Sequence, residues 1–265
     1  MALAGTPTLE VRPGRGSVAA GEAMSGRLLG FEGAVEVALV RRERSPVREH
    51  RTECVATVLR GRRTGRYVLE VPPDLPPTAA GRRCAIDYSI TAKEPLGDGP
   101  RASAAVTLRA DGRPHLETRS EFADRIVPNA PGRRFHLELA AADLRGGGRL
   151  SGRLHRHRRW TRGPLTVELC SVESWRTPAP TLGAMPHWER DVLWSARTTV
   201  ETDPDRTWVP FAFDIPDDLP PAVEAHTLAW RYELSASRRT RIGIDEYALL
   251  TPVLFETGAG PCAGA

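Results

Sequence analysis

Two stretches of this chain combine residue types that could do chemistry. The first, RLHRHRRWTRG from Arg153 to Gly163, places His155 and His157 two apart, on one face of a continuing strand. Zinc takes at least three protein ligands even in catalytic sites, and this stretch supplies no Cys, Asp or Glu. The pair therefore reads as part of a basic hairpin tip, and no metal is assigned. Arg153, Arg156, Arg158, Arg159 and Arg162 around Trp160 form instead a candidate patch for an anionic partner, either an acidic protein or the lipids of a peripheral membrane contact.

The second stretch, ESWRTPAPTLGAMPHWERDVLW, runs from Glu173 to Trp194 and carries Trp175, Met185, Trp188 and Trp194 among Pro178, Pro180 and Pro186. Trp and Met are enriched in interface cores, and loops on rigid scaffolds often hold function, so these four form a candidate protein-binding loop. The competing reading folds the tryptophans back over a sheet, because exposed Trp is unusual without a partner.

Catalytic signatures are missing. The sequence contains no G-x-S-x-G, H-E-x-x-H, P-loop or G-x-G-x-x-G. RGGGRLSG, Arg145 to Gly152, is Gly-rich but runs into a strand, so it lacks the helix N-terminus a phosphate loop needs. Asp217-Asp218 and Asp245-Glu246 are explained by turns rather than as the opposed carboxylates of a glycosidase. The chain reads as a non-enzyme with no catalytic residue and no cofactor; a carbohydrate- or anionic-ligand-binding β-sandwich is the alternative to a protein-binding one.

Composition agrees. The 265 residues are 40% hydrophobic and 26% charged, ordinary for globular domains and long enough for two. The formal charge is +4, and of the 37 basic residues 36 are Arg, Lys93 being the lone Lys. Arg41, Arg42, Arg44 and Arg60, Arg62, Arg63 are interleaved with acids and lack stacking aromatics, which argues against nucleic acid as a partner. No segment approaches the ~20 apolar residues that span a bilayer, and the N-terminus lacks a signal-type apolar core. Cys54, Cys84, Cys170 and Cys262 are scattered without a C-x-x-C pair. Cytoplasmic location and free thiols are the resulting expectations.

Internal repetition carries the architecture. Setting Val71 on Ile215 aligns Pro72 with Pro216, Asp74 with Asp218, Leu75 with Leu219 and Pro76-Pro77 with Pro220-Pro221, without a gap through Tyr88 and Tyr232 to Ala92 and Ala236. Eight of those 22 positions are identical. Upstream, Ser25-Gly26-Arg27-Leu28 matches Ser151-Gly152-Arg153-Leu154 at the shorter offset of 126, and Val35, Val37 and Leu39 match Leu165, Val167 and Leu169 at 130. The second copy thus carries an insertion of four residues around His155 to Gly163 and one of fourteen, expected between Cys170 and about Ser195.

The repeated unit has β periodicity. Ile86, Tyr88, Ile90 and Trp230, Tyr232, Leu234 alternate with polar neighbours, as one buried and one wet sheet face require. Pro72 and Pro216 end a strand, Asp74 and Asp218 favour a turn, and the Pro-Pro pairs favour extended backbone. The expected fold is all-β, with two tandem antiparallel immunoglobulin-like β-sandwich domains at 1–112 and 132–265 joined by a linker at 113–131.

A strand ending F-x-I-P-x-x-L-P-P, followed about a dozen residues later by Y-x-L-x-A, resembles the arrestin fold. Phe213 to Pro221 with Tyr232 to Ala236 carries the pattern, and Val71 to Pro77 with Tyr88 to Ala92 repeats it. The G-x-x-x-x-G-R-L segments, Gly21 to Leu28 and Gly147 to Leu154, resemble the approach to a strand in both arrestin domains. The likeness covers about residues 6 to 256 and, among bacterial relatives, is similar to the sporulation-control branch without its C-terminal extension. It implies a scaffold or adaptor that binds partner proteins through sheet faces, edge strands and a hinge, with a regulatory role and no catalysis. Phosphate-reading basic residues and a buried charged trigger are known in eukaryotic arrestins; neither set maps onto this sequence residue by residue, so receptor regulation is not implied.

Overall fold

The computed structural model describes residues 9–93, 102–109, 115–116, 135–142, 147–156, 164–178, 187–200, 207–239 and 245–250, which form sixteen β-strands and no helix. The strands are β1 (Glu10–Pro13), β2 (Ser17–Ala19), β3 (Ala23–Arg44), β4 (Glu49–Glu70), β5 (Ala79–Ala80), β6 (Ala85–Lys93), β7 (Ala102–Arg109), β8 (His115–Leu116), β9 (Phe135–Ala142), β10 (Arg149–Arg156), β11 (Leu165–Thr177), β12 (His187–Val200), β13 (Trp208–Asp214), β14 (Val223–Glu224), β15 (Leu228–Arg239) and β16 (Asp245–Leu250). The protein is all-β, as its period-two alternation dictates. Two units divide the chain. One comprises Met1–Glu117 with Ala225–Leu228, the other Thr118–Glu224 with Ala229–Ala265. The segment expected to link domains, 113–131, lies outside the described residues except for His115 and Leu116.

In the first unit the strands run β1-β3-β6-β7-β2, with β4 beside β3 and β5 beside β6. All pairings are antiparallel except β2 with β7. Leu28, Val37, Leu39, Leu69, Ile86 and Ile90 are fully buried, and β6 shows strict in-out alternation along its length. In the second unit β13-β10-β9 form one sheet, while β12-β11-β15-β14 belong to another in which β16 also pairs with β15. Its core draws on both sheets: Leu150, Leu154, Phe211 and Phe213 from the former, Leu165, Val167, Tyr232 and Leu234 from the latter. Burial of each such side chain contributes about 1.5–3 kcal/mol, which is what holds the layers together.

The two units repeat each other in backbone detail. Gly26 pairs with Tyr67 and Gly152 with Phe211, positions related by offsets of 126 and 144. At both, a Cβ would collide: at Gly26 with the Tyr67 hydroxyl and the Arg12 carbonyl, at Gly152 with the Phe211 ring and the Glu138 carbonyl. Glycine is fixed there because the backbone of one neighbouring strand and an aromatic ring from the other converge on it. Gly21 N–H donates to the Val71 carbonyl at 3.0 Å and Gly147 N–H to the Ile215 carbonyl at 3.1 Å, both glycines holding positive φ (81° and 74°).

The Pro-rich interruption is likewise built twice. Leu75 N–H donates to the Pro72 carbonyl and Leu219 N–H to the Pro216 carbonyl, each at 3.5 Å. Tyr88 Oη then donates to the Pro76 carbonyl at 2.7 Å, and Tyr232 Oη to the Pro220 carbonyl at 3.3 Å. The extended Pro-Pro backbone leaves a carbonyl without a ladder partner, and the tyrosine of the next long strand satisfies it. The strand-terminating role read from the sequence has this hydrogen bond as its physical completion.

Candidate functional site

The second unit carries an open groove on the outer face of β9, β10 and β13. Alternation turns Leu150, Gly152 and Leu154 of β10 inward and Ser151, Arg153 and His155 outward; on β13 it buries Phe211 and Phe213 and exposes Trp208, Pro210, Ala212 and Asp214. Cross-strand register sets Arg153 opposite Pro210 and His155 opposite Trp208 on one side, and Glu138 opposite Arg153 on the other. The groove encloses about 560 Å³, lined by Ala140, Ser151, Arg153, Trp208, Pro210 and Ala212, with Gly152 and Phe211 forming its floor.

Its walls are chemically unequal. The Arg153 guanidinium carbon lies 4.7 Å from the Trp208 ring centroid, and Trp208 is among the large apolar side chains left exposed. Such a stack contributes about 0.5–1 kcal/mol at an exposed site and holds the guanidinium plane in place. The carboxylates on this face are already answered: Glu138 by His155 Nε2, and Asp214 by Arg149 at 3.7 Å. Among the described residues, Arg153 has no carboxylate within ion-pair distance.

The corresponding face of the first unit is different. Arg27 stands where Arg153 does, but Thr64 and Arg66 occupy the places of Trp208 and Pro210, and Arg12, paired to Glu10 at 2.7 Å, that of Glu138. One copy presents a charged face, the other an aromatic and apolar groove with a single stacked cation.

Several sequence expectations change here. The candidate Trp loop is a correction: Trp175 lies in β11 and Trp188 and Trp194 in β12, so these residues lengthen a hairpin instead of forming a loop. Trp175 is 2% exposed, Trp194 packs against the core, and Trp188 is half-buried opposite Arg176. The strand continues because SVESWRT keeps β-forming residues up to Pro178, and its described pairs with β12 run from Leu165 opposite Val200 to Thr177 opposite His187. The pair Val35–Leu59 is separated by 24 positions and the pair Leu165–Val200 by 35, so eleven of the fourteen extra residues extend this hairpin and three fall between Val200 and Trp208. Met185, Arg158, Arg159, Trp160 and the side chain of Arg156 lie outside the described residues. Of the candidate basic patch, Arg153 is the member whose surroundings are defined, and Trp208 is the neighbour the sequence reading missed. Trp208 was findable: three positions before Phe211, it falls on the face opposite the buried Phe211 and Phe213.

Buried charge was also missed. In the first unit Arg41 and Glu43, 5% and 1% exposed, form an ion pair at 3.1 Å. In the second, Arg231 and Glu224 pair at 2.9 Å, and Glu173 is wholly buried. Burial pushes the Arg231 pKa down, opposed by Glu224 and Glu233. Burial also pushes the Tyr232 hydroxyl up to about 12 and, with help from Glu168, the Cys170 thiol up to about 11, so neither is an activated nucleophile. Cys54, Cys84 and Cys170 are free thiols; Cys262 lies outside the described residues. Among the described residues no three His, Cys, Asp or Glu side chains converge on a metal position.

Comparison with known proteins adds no assignment: the chain matches no protein-family model and no curated protein.

Proposed function

We propose that the chain is an arrestin-like, non-catalytic scaffold or adaptor: two tandem immunoglobulin-like β-sandwiches, joined near 113–131, that bind other proteins in a regulatory role in the cytoplasm. One observation carries the reading. The same strand, Pro-rich turn and tyrosine-bearing strand are built twice in matching register, and the second copy alone replaces Thr64 and Arg66 by Trp208 and Pro210 at an open groove. A duplicated frame kept constant while one face diverges is the pattern of a binding module. The polar side chains that line the groove are Ser151, Arg153 and the indole of Trp208, groups suited to recognising a partner by hydrogen bonds and charge.

The test is affinity capture of the full chain from its native extract followed by mass spectrometry, in parallel with the Trp208→Ala and Arg153→Glu variants. A partner set reproducibly retained by the native chain and lost by both variants, with unchanged thermal unfolding, supports the reading. Binding on a glycan array with no captured protein would favour the carbohydrate alternative and overturn it.

A further inference from the structure

We propose that the groove on β9, β10 and β13 takes an extended acidic peptide, its carboxylate meeting the N–H edge of Arg153 and its apolar neighbours covering Trp208, Pro210 and Ala212. This rests on the protein-binding reading above and names the ligand class.

Three features of the groove select this occupant. The Arg153 guanidinium carbon sits over the Trp208 ring, 4.7 Å from its centroid, and a guanidinium carries a planar fork of N–H donors that receives a carboxylate through two parallel hydrogen bonds. The Glu138 and Asp214 carboxylates nearby are engaged by His155 Nε2 and Arg149, and among the described residues no carboxylate lies within ion-pair distance of Arg153, so the guanidinium is open to an anionic group from a ligand. Around that cation the lining is Ala140, Pro210, Ala212 and the edge of Trp208, an apolar strip running along the strands, the shape of an extended chain with small apolar side chains.

Competing ligands fit less well. A polyanion such as a nucleic-acid backbone or an anionic bilayer needs several cations, and the face carrying Arg27 and Arg66 on the first unit would suit it better. A sugar would stack on the Trp208 ring, one face of which Arg153 covers. Strand addition at the rim is blocked at Pro210, which has no N–H to donate from the edge strand β13, so the peptide lies across the face.

The experiment measures fluorescence anisotropy of a labelled peptide of alternating Glu and Leu titrated with the full chain, against a Lys-Leu peptide of equal length, inorganic phosphate as competitor and phosphatidylserine vesicles. The Glu-Leu peptide is expected to bind and to weaken with added salt. Arg153→Gln should weaken binding roughly ten- to a hundredfold, the loss of a charged hydrogen-bonded contact. Arg153→Lys should fall between, and Arg27→Gln should leave binding unchanged. Equal binding of the Lys-Leu peptide, binding that survives Arg153→Gln, or binding of phosphate or vesicles without the peptide overturns the proposal. If a captured protein partner persists through Arg153→Gln and Trp208→Ala, this ligand assignment falls while the scaffold reading stands; if no protein is captured at all, the scaffold reading falls with it.

Discussion

Glu43 and Thr227 are 184 residues apart in sequence and share two hydrogen bonds: the Thr227 backbone N–H and its hydroxyl both donate to Glu43 Oε2, at 2.9 and 2.6 Å. The same carboxylate faces Arg41, so its charge is met from both sides within the first unit. A buried carboxylate survives only when so compensated.

Removing one partner should therefore cost more than a surface change. Glu43→Ala removes the buried carboxylate that faces both Arg41 and Thr227 and is expected to lower stability by about 3–5 kcal/mol, whereas Thr227→Val, which removes the hydroxyl and keeps the backbone donor, should cost about 1–3 kcal/mol. Denaturant unfolding followed by circular dichroism measures both. Equal and negligible effects would show that the contact does not hold the unit.

Gly26→Ala and Gly152→Ala force a methyl group against an aromatic ring and a backbone carbonyl, and each should cost about 1–3 kcal/mol. Gly61→Ala is the control. Its added carbon meets only the Phe31 ring at 3.8 Å, an ordinary contact, so stability should stay within about 0.5 kcal/mol.

Alkaline pH should destabilise the fold. Tyr232 titrates at about 12 in the folded chain against an ordinary 10.0, and Cys170 at about 11 against 9.0. Both keep their proton in the native state where the unfolded chain has lost it. Their contribution is fully present below pH 9 and is lost as pH rises, between 9 and 11 for Cys170 and between 10 and 12 for Tyr232. Stability measured across that range should fall, and Tyr232→Phe should flatten the upper part. An unchanged slope in that variant would refute the assignment.

The insertion hairpin makes a contrast between neighbours. Trp175→Ala empties a buried position and should cost about 3–5 kcal/mol, while Trp188→Ala, half-buried on the facing strand, should cost clearly less. Thermal unfolding of the two variants decides it; a larger loss at Trp188 would place the wrong side chain inside.

The strand alternation, the repeat and the double use of the Pro-rich turn were legible because each depends on local spacing: Tyr88 and Tyr232 sit twelve residues beyond the prolines whose carbonyls they bind. The groove was legible in part. Arg153 stood out by composition, but its stacking on Trp208 depends on a pairing across more than fifty residues of sequence. Buried Arg41 and Arg231 were hidden because their letters match those of exposed arginines, and only tertiary packing separates them. The tryptophan strands misled because Pro178, Pro180 and Pro186 read as the whole segment's character.

The membership of Ala225–Leu228 in the first unit bears on how the chain is made. Roughly 110 residues follow Glu117 before Thr227 leaves the ribosome, which at ~5–20 residues per second is a wait of about 5–20 s. Through that interval the nascent first unit holds Glu43 without its Thr227 donors. Its last internal bonds close only when the second copy is nearly complete, so the amino-terminal half matures late despite being synthesised first.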